Sequence, residues 1–251
     1  MNIFINGRLL LALVLACYSA FSWADLVTTI AKIKPSIVAV GSYHPTGSPR
    51  SVFSGTGFVV GDGSLVVTNY HVVPSDLNPT KREQLVIFVG KGSQPKVYDA
   101  KVIASDRVHD LAVLKIEGIK LTPLRLGNDK AIQEGQSIAF TGYPIGAVLG
   151  LYAATHTGII SAITPIATPQ ISSAQLTPQM LKQLRKPYQV FQLDATAYPG
   201  NSGSPVYNTD TGQVIGVINK VFIQGSREAA ITNPSGISYA IPIRYVKALL
   251  K

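Results

Sequence analysis

Cysteine is nearly absent from this chain of 251 residues: Cys17 is the only one. No disulfide can form within the chain, so its stability must come from a packed core, which a chain of this size can supply. Long apolar runs are scarce too. The run Leu9–Ala16 falls short of the roughly 20 residues that a membrane span needs. Acidic side chains are few, 13 against 22 basic ones, for a net charge of +9. The basic residues are scattered, without an aromatic platform or a recognised nucleic-acid module, so a nucleic-acid partner is not expected. The charge favours loose contact with anionic envelope polymers and attraction of acidic substrates. There are only four histidines, His44, His71, His109 and His156. None has H-E-x-x-H spacing, so no metal and no cofactor is expected.

Short strand-like runs fill most of the chain. They are Ser36–Tyr43, Ser51–Val60, Leu65–Thr68, Leu85–Val89, Lys96–Ser105, Leu111–Ile116, Ser137–Gly142, Thr157–Ile163, Val190–Asp194, Pro205–Tyr207, Val214–Phe222 and Ile237–Pro242. They are rich in Val and Ile and bounded by Gly, Pro, Asn and Asp, the pattern of an all-β sandwich or barrel. A short helical pattern at Leu26–Ile33 is ended by Pro35. An amphipathic helix follows Pro242, over 243–251.

The chain is organised around Asp194-Ala195-Thr196-Ala197-Tyr198-Pro199-Gly200-Asn201-Ser202-Gly203-Ser204-Pro205. Here a serine lies between strand-like runs, in a glycine-rich turn. A serine hydroxyl becomes a good nucleophile only when a base takes its proton. Two earlier stretches offer partners: Thr68-Asn69-Tyr70-His71-Val72-Val73 and His109-Asp110-Leu111-Ala112-Val113-Leu114-Lys115-Ile116. The order is therefore His, Asp, Ser. In such a set the Ser attacks a carbonyl, the His shuttles the proton and the Asp orients the imidazole. Gly200 and Ser202 can aim backbone N–H groups at the developing oxyanion. The α/β-hydrolase arrangement is excluded, because Ser204 stands where its elbow needs Gly and no His follows Ser202. A subtilisin order would place the Asp first. Asp62 is available, but alternating helices and strands are not visible. Any one of these residues alone is weak: a Ser-Gly pair marks a turn, and a His after a strand is commonly packed or solvated. His109 lies in a turn and reads as solvent-facing, and His44 and His156 read as structural.

These stretches, with Ser54-Gly55-Thr56-Gly57-Phe58-Val59-Val60 and Gly236-Ile237-Ser238-Tyr239-Ala240-Ile241-Pro242-Ile243, resemble the HtrA/Deg branch of trypsin-like, chymotrypsin-fold serine proteases. The resemblance runs from about Lys32 to the C-terminus. It implies two six-stranded antiparallel β-barrels, about 36–120 and about 135–242, dividing near 120–135, with the site between them. It implies His71 as base, Asp110 as orienting acid, Ser202 as nucleophile, and Gly200 and Ser202 as oxyanion-hole donors, in an endopeptidase acting on proteins or peptides. Asn201 stands where trypsin-type zymogens carry the Asp that captures a new N-terminus, so that route of activation is not expected. The first specificity pocket maps to Thr196, Tyr198, Val221 and Phe222. With no acid at 196, the expected taste is for small or medium apolar residues. No PDZ domain is expected after the last helix, and the resemblance leaves the oligomeric state open. The alternative is a latent or non-catalytic protease-fold binding protein. A third option is an esterase-like activity, which such a nucleophile would show on small activated esters in any case.

Residues 1–24 read as an export signal: Arg8, the apolar run, then Ser22-Trp23-Ala24 before Asp25. The domain then begins at 25, and the expected location is periplasmic or secreted. The rival is a lipobox, Val14-Leu15-Ala16-Cys17, with anchoring through Cys17. The segment 164–188 is a long connection, expected to hold a helix over Thr177–Lys186 and to act as a surface lid or a regulatory loop.

Overall fold

The structure is a computed structural model, which describes residues 26–144, 150–165, 187–221 and 236–251. The signal reading at 1–24, the lipobox at Cys17, the helix at 177–186 and the Phe222 subsite lie outside the described residues.

The described residues open with helix α1 (Leu26–Ile33), which passes into a single 3-10 turn, Lys34–Ser36, at Pro35. Proline tolerates the first turn of such a helix but cannot donate further in. Six strands follow: β1 (Ile37–Tyr43), β2 (Ser51–Val60), β3 (Leu65–Thr68), β4 (Gln84–Val89), β5 (Lys96–Asp106) and β6 (Leu111–Ile116). They close into an antiparallel barrel in the order β1-β2-β3-β6-β5-β4. The second set is β7 (Ser137–Gly142), β8 (Ala154–Pro165), β9 (Gln189–Asp194), β10 (Pro205–Asn208), β11 (Val214–Val221) and β12 (Ile237–Pro242). It closes as β10-β11-β12-β9-β8-β7. Helix α2 (Ile243–Leu249) ends the chain. The two six-stranded barrels are as expected, and β8 begins three residues before the run read from the sequence.

The residue pattern explains why several strands are apolar on both faces. In β1, Val38 and Val40 point into the first barrel, while Ile37 and Ala39 belong to a separate cluster. β2 divides likewise, with Val59 inside and Phe58 and Val60 outside. The outside cluster also takes Ala139, Tyr143, Val190, Tyr207, Val217 and Ile241 from the second barrel, and Val246 from α2. A strand has period two, so one parity fills its own barrel and the other fills the seam. The second barrel has its own interior around Ile138, Phe140, Phe191, Leu193 and Ile218. Strand β5 differs: Val97, Val102 and Ile103 on it are exposed.

Candidate active site

His71 sits on a 3-10 turn, Tyr70–Val72, at the end of β3. Asp110 lies in the turn that opens β6 and has φ 52°, a left-handed conformation that Asp tolerates better than most residues. The turn is held at its carbonyl by two donors: Tyr70 N–H donates to the Asp110 carbonyl at 3.1 Å, and the Asn69 amide donates to the same oxygen at 3.0 Å. The carboxylate then faces His71. Its Oδ2 lies 2.6 Å from the ring Nδ1, and its Oδ1 accepts the His71 backbone N–H at 2.9 Å. The imidazole side chain is 36% exposed and the carboxylate 18%, so the ring is reachable from solvent and the carboxylate facing it is shielded.

Ser202 stands in the turn between β9 and β10. Asn201 N–H donates to Tyr198 O and Ser204 N–H to Asn201 O, both at 2.9 Å. Gly203 N–H donates to Ile218 O at the same distance. Among the described residues, the N–H groups of Gly200 and Ser202 donate to nothing. Gly200 has φ 99°, open to glycine and rare for other residues. Asn201 is fully buried, and neither atom of its side-chain amide has a partner among the described residues.

The Ser202 hydroxyl donates to the Asn219 carbonyl at 2.9 Å. Among the described residues it shares no hydrogen bond with His71. The structure therefore shows the His–Asp pair formed and the serine hydroxyl turned to β11. Asn219 carries no catalytic side-chain chemistry, so its main-chain part had no signal in the sequence.

Thr196 and Tyr198 lie half-buried in the approach to the turn. The Tyr198 ring lies 5.9 Å from that of His156. Val221 closes β11, but its side chain and all of Phe222 lie outside the described residues. His156 stacks on Phe140 at 4.9 Å with its Nε2 buried and, among the described residues, unpartnered, and burial holds its pKa below the ordinary value. His44 accepts the Thr46 N–H at 3.2 Å on the surface.

One expectation is corrected. His109 is not solvent-facing: its side chain is only 19% exposed. Its Nδ1 lies 2.5 Å from Asp106 Oδ2. The ring stacks on Tyr245 of α2 at 3.8 Å and meets Tyr188 edge-on at 4.6 Å. Burial would raise the Asp106 pKa, but hydrogen bonds from His109 outweigh it and hold the carboxyl below its usual range. Burial, with Asp110 close by, pushes the Tyr188 phenol up. The aromatic partners lie far along the chain, so sequence spacing around His109 carried no trace of them.

Fold and site together define a two-barrel, chymotrypsin-like protein with a serine-centred turn. A family profile described as trypsin-like peptidase domain matches residues 55–217. The chain is 31% identical over 206 residues to "Serine protease HTRA2, mitochondrial" of Drosophila grimshawi, covering 82% of this chain and 40% of that protein. It is 30% identical over 189 residues to "Probable periplasmic serine endoprotease DegP-like" of Halomonas elongata, covering 75% of this chain and 32% of that one. The chain thus spans well under half the length of these relatives. Among solved structures, "HtrA-type protease AlgW with decapeptide" superposes with a TM-score of 0.64 at 21% identity, over 90% of this chain and 66% of that one. Deg5 superposes at 0.61 with 25% identity, over 88% and 90%. The chain belongs to the trypsin-like peptidase family, and the relatives and structures named here are HtrA-type or Deg proteins.

Proposed function

We propose that this chain is a serine endopeptidase that hydrolyses peptide bonds through His71, Asp110 and Ser202. The observation that carries the reading is the two-point grip of the Asp110 carboxylate on His71, across the barrel seam from a serine turn with two unengaged N–H groups. Ser202 Oγ attacks the substrate carbonyl carbon while His71 Nε2 takes its proton. The carbonyl oxygen becomes an oxyanion held by the Gly200 and Ser202 N–H groups. His71 returns the proton to the leaving amine, and the C–N bond breaks to give an acyl-enzyme. Water, deprotonated by His71, attacks that ester and releases Ser202. Asp110 keeps Nδ1 protonated and stabilises the imidazolium throughout.

Peptide substrates fit this chemistry, and HtrA-type neighbours are described with a tripeptide and a decapeptide. Thr196, Tyr198, Val221 and Phe222 are proposed to line the first specificity pocket and to favour small or medium apolar residues. A cleavage profile dominated by Lys and Arg would contradict this. Export, with cleavage after Ala24, rests on the pattern at 1–24 and on the periplasmic DegP-like relative. N-terminal sequencing of the protein from a bacterial host separates cleavage at Ala24 from lipidation at Cys17.

A second reading has its own observation. Because the Ser202 hydroxyl donates to Asn219, the protein is alternatively a latent protease-fold binder. Treating the full chain with a fluorophosphonate probe, beside Ser202→Ala, decides. Labelling of the native protein alone supports the enzyme; no labelling of either supports the latent binder.

A further inference from the structure

The glycine-rich run of β2 contains one residue whose every polar atom is spent on the serine turn and its surroundings. Thr56 is fully buried. Its N–H donates to Ser202 O at 2.9 Å, and its hydroxyl donates to Gly200 O at 2.7 Å. The same hydroxyl accepts Tyr143 N–H from the second barrel at 3.0 Å. Its carbonyl accepts the Thr68 hydroxyl at 2.7 Å, just ahead of the turn that carries His71. A residue of the first barrel thus grips the serine turn of the second on both sides of Ser202.

The consequence is geometric. The Gly200–Asn201 peptide is held at its oxygen by the Thr56 hydroxyl and at its N–H by Tyr198 O. The Ser202–Gly203 peptide is held at its oxygen by Thr56 N–H and at its N–H by Ile218 O. Between and before them lie the two peptides whose N–H groups, of Gly200 and Ser202, remain unengaged. Glycine has no side chain to restrict it. Pinning its carbonyl plane removes ψ of Gly200 as a free rotor and limits how far its N–H can swing. Donors in an oxyanion hole act only when their direction is set beforehand.

We propose that Thr56 is a positioning residue for the oxyanion hole, acting through its hydroxyl on the Gly200 carbonyl. This rests on the serine-peptidase reading above. The hydroxyl touches no substrate. Its contribution is to keep the Gly200 N–H aimed where the oxyanion forms, and through Tyr143 N–H it ties that aim to the closing of the two barrels.

The test compares full-length wild type, Thr56→Ser and Thr56→Ala, for which Ser and Ala differ by the hydroxyl alone. The readout is the rate constant of labelling by a fluorophosphonate, whose phosphoryl oxygen must enter the hole, followed across pH. Misplacing a donor by about 1 Å costs up to about a hundred-fold. The expected result is a roughly ten- to hundred-fold slower plateau in T56A, with T56S within about threefold of wild type. The pH midpoint of labelling stays where it is in wild type. Equal plateaus in wild type and T56A overturn the proposal, as does equal slowing in T56S and T56A, which would assign the effect to the methyl group. A shifted midpoint also overturns it, because the damage would then extend beyond the oxyanion hole. If T56A does not fold, T56V, which keeps the branched shape, takes its place. If neither folds while T56S does, the hydroxyl serves the fold rather than the hole and the proposal falls. Absence of labelling in wild type overturns the peptidase reading and this inference with it; labelled wild type with an equally reactive T56A overturns this inference alone.

Discussion

Asp110 holds His71 at two points, the ring Nδ1 through Oδ2 at 2.6 Å and the backbone N–H through Oδ1 at 2.9 Å. The second contact fixes where the residue sits and the first fixes which ring nitrogen carries the proton. Asp110→Asn separates these roles. Asn tolerates the left-handed backbone at φ 52°, so the turn is expected to survive. An amide can present an N–H to Nδ1, which favours the tautomer whose Nε2 cannot act as base. The expected outcome is a fall in fluorophosphonate labelling of about 10³- to 10⁴-fold, with a melting temperature close to that of wild type. Retained labelling would show that Asp110 does not orient the base.

A second His–Asp pair lies one residue away from the first. His109 binds Asp106 and stacks on Tyr245, and through that ring it ties the Asp110 turn to α2. His109→Ala removes a hydrogen bond to a charged group and a stacked ring. The expected loss of stability is roughly 1–3 kcal/mol, read as a lower urea midpoint. Tyr245→Ala should weaken the same contact. The double variant should therefore lose less than the two single losses together, because the two sites share one interaction. Strict additivity would mean that the stacking carries no energy.

How far the chain could be read without coordinates depends on the range of the signal. Val38 and Val40 against Ile37 and Ala39 announce a strand by local pattern alone. The same holds for all twelve strands, whose bounds differ from the structure by no more than a few residues. His71, Asp110 and Ser202 stand out as candidates in the sequence because each sits in a local motif. What was not legible depends on contacts across the seam. The role of Thr56 needs Gly200 and Tyr143 beside it. The burial of His109 needs Tyr188 and Tyr245, and the turn of the Ser202 hydroxyl needs a main-chain oxygen at Asn219. None of these leaves a periodicity or a spacing to read.

His156 makes stability depend on pH. Its ring lies on Phe140 and its buried Nε2 has no partner among the described residues, so burial disfavours the charged form and lowers its pKa below the ordinary 6.5. Between the unfolded and folded values, the unfolded chain binds a proton that the folded chain refuses. Stability therefore falls as pH drops through and below about 6.5, and this contribution levels off once the folded value is passed. His156→Phe keeps an aromatic ring on Phe140 and removes the proton site. Urea midpoints measured at about pH 7.5 and about pH 5 should differ less in the variant than in wild type. An equal difference in both would exclude His156 as the source.

Gly203, next to Ser202, is the position where a single methyl group should do the most harm. Its φ is 87°, and a Cβ there would fall 2.0 Å from the Thr56 carbonyl oxygen and 2.5 Å from the Thr68 hydroxyl. Neither neighbour can yield cheaply: the first is backbone, and the second donates to that same carbonyl. Gly203→Ala therefore combines a disfavoured backbone conformation with a clash at the point where β2 meets the serine turn. To relieve it, the turn must move away from β2, which breaks the Thr56 N–H bond to Ser202 O. The expected outcome is a loss of at least about 3 kcal/mol, seen as a lowered melting temperature, together with loss of fluorophosphonate labelling in whatever fraction remains folded. Ser204→Ala serves as the control. Its hydroxyl is buried without a partner among the described residues, so its removal should leave stability within about 1 kcal/mol of wild type. A G203A protein that melts and labels like wild type would mean that the turn does not pack on β2 as closely as Thr56 and Ser202 require.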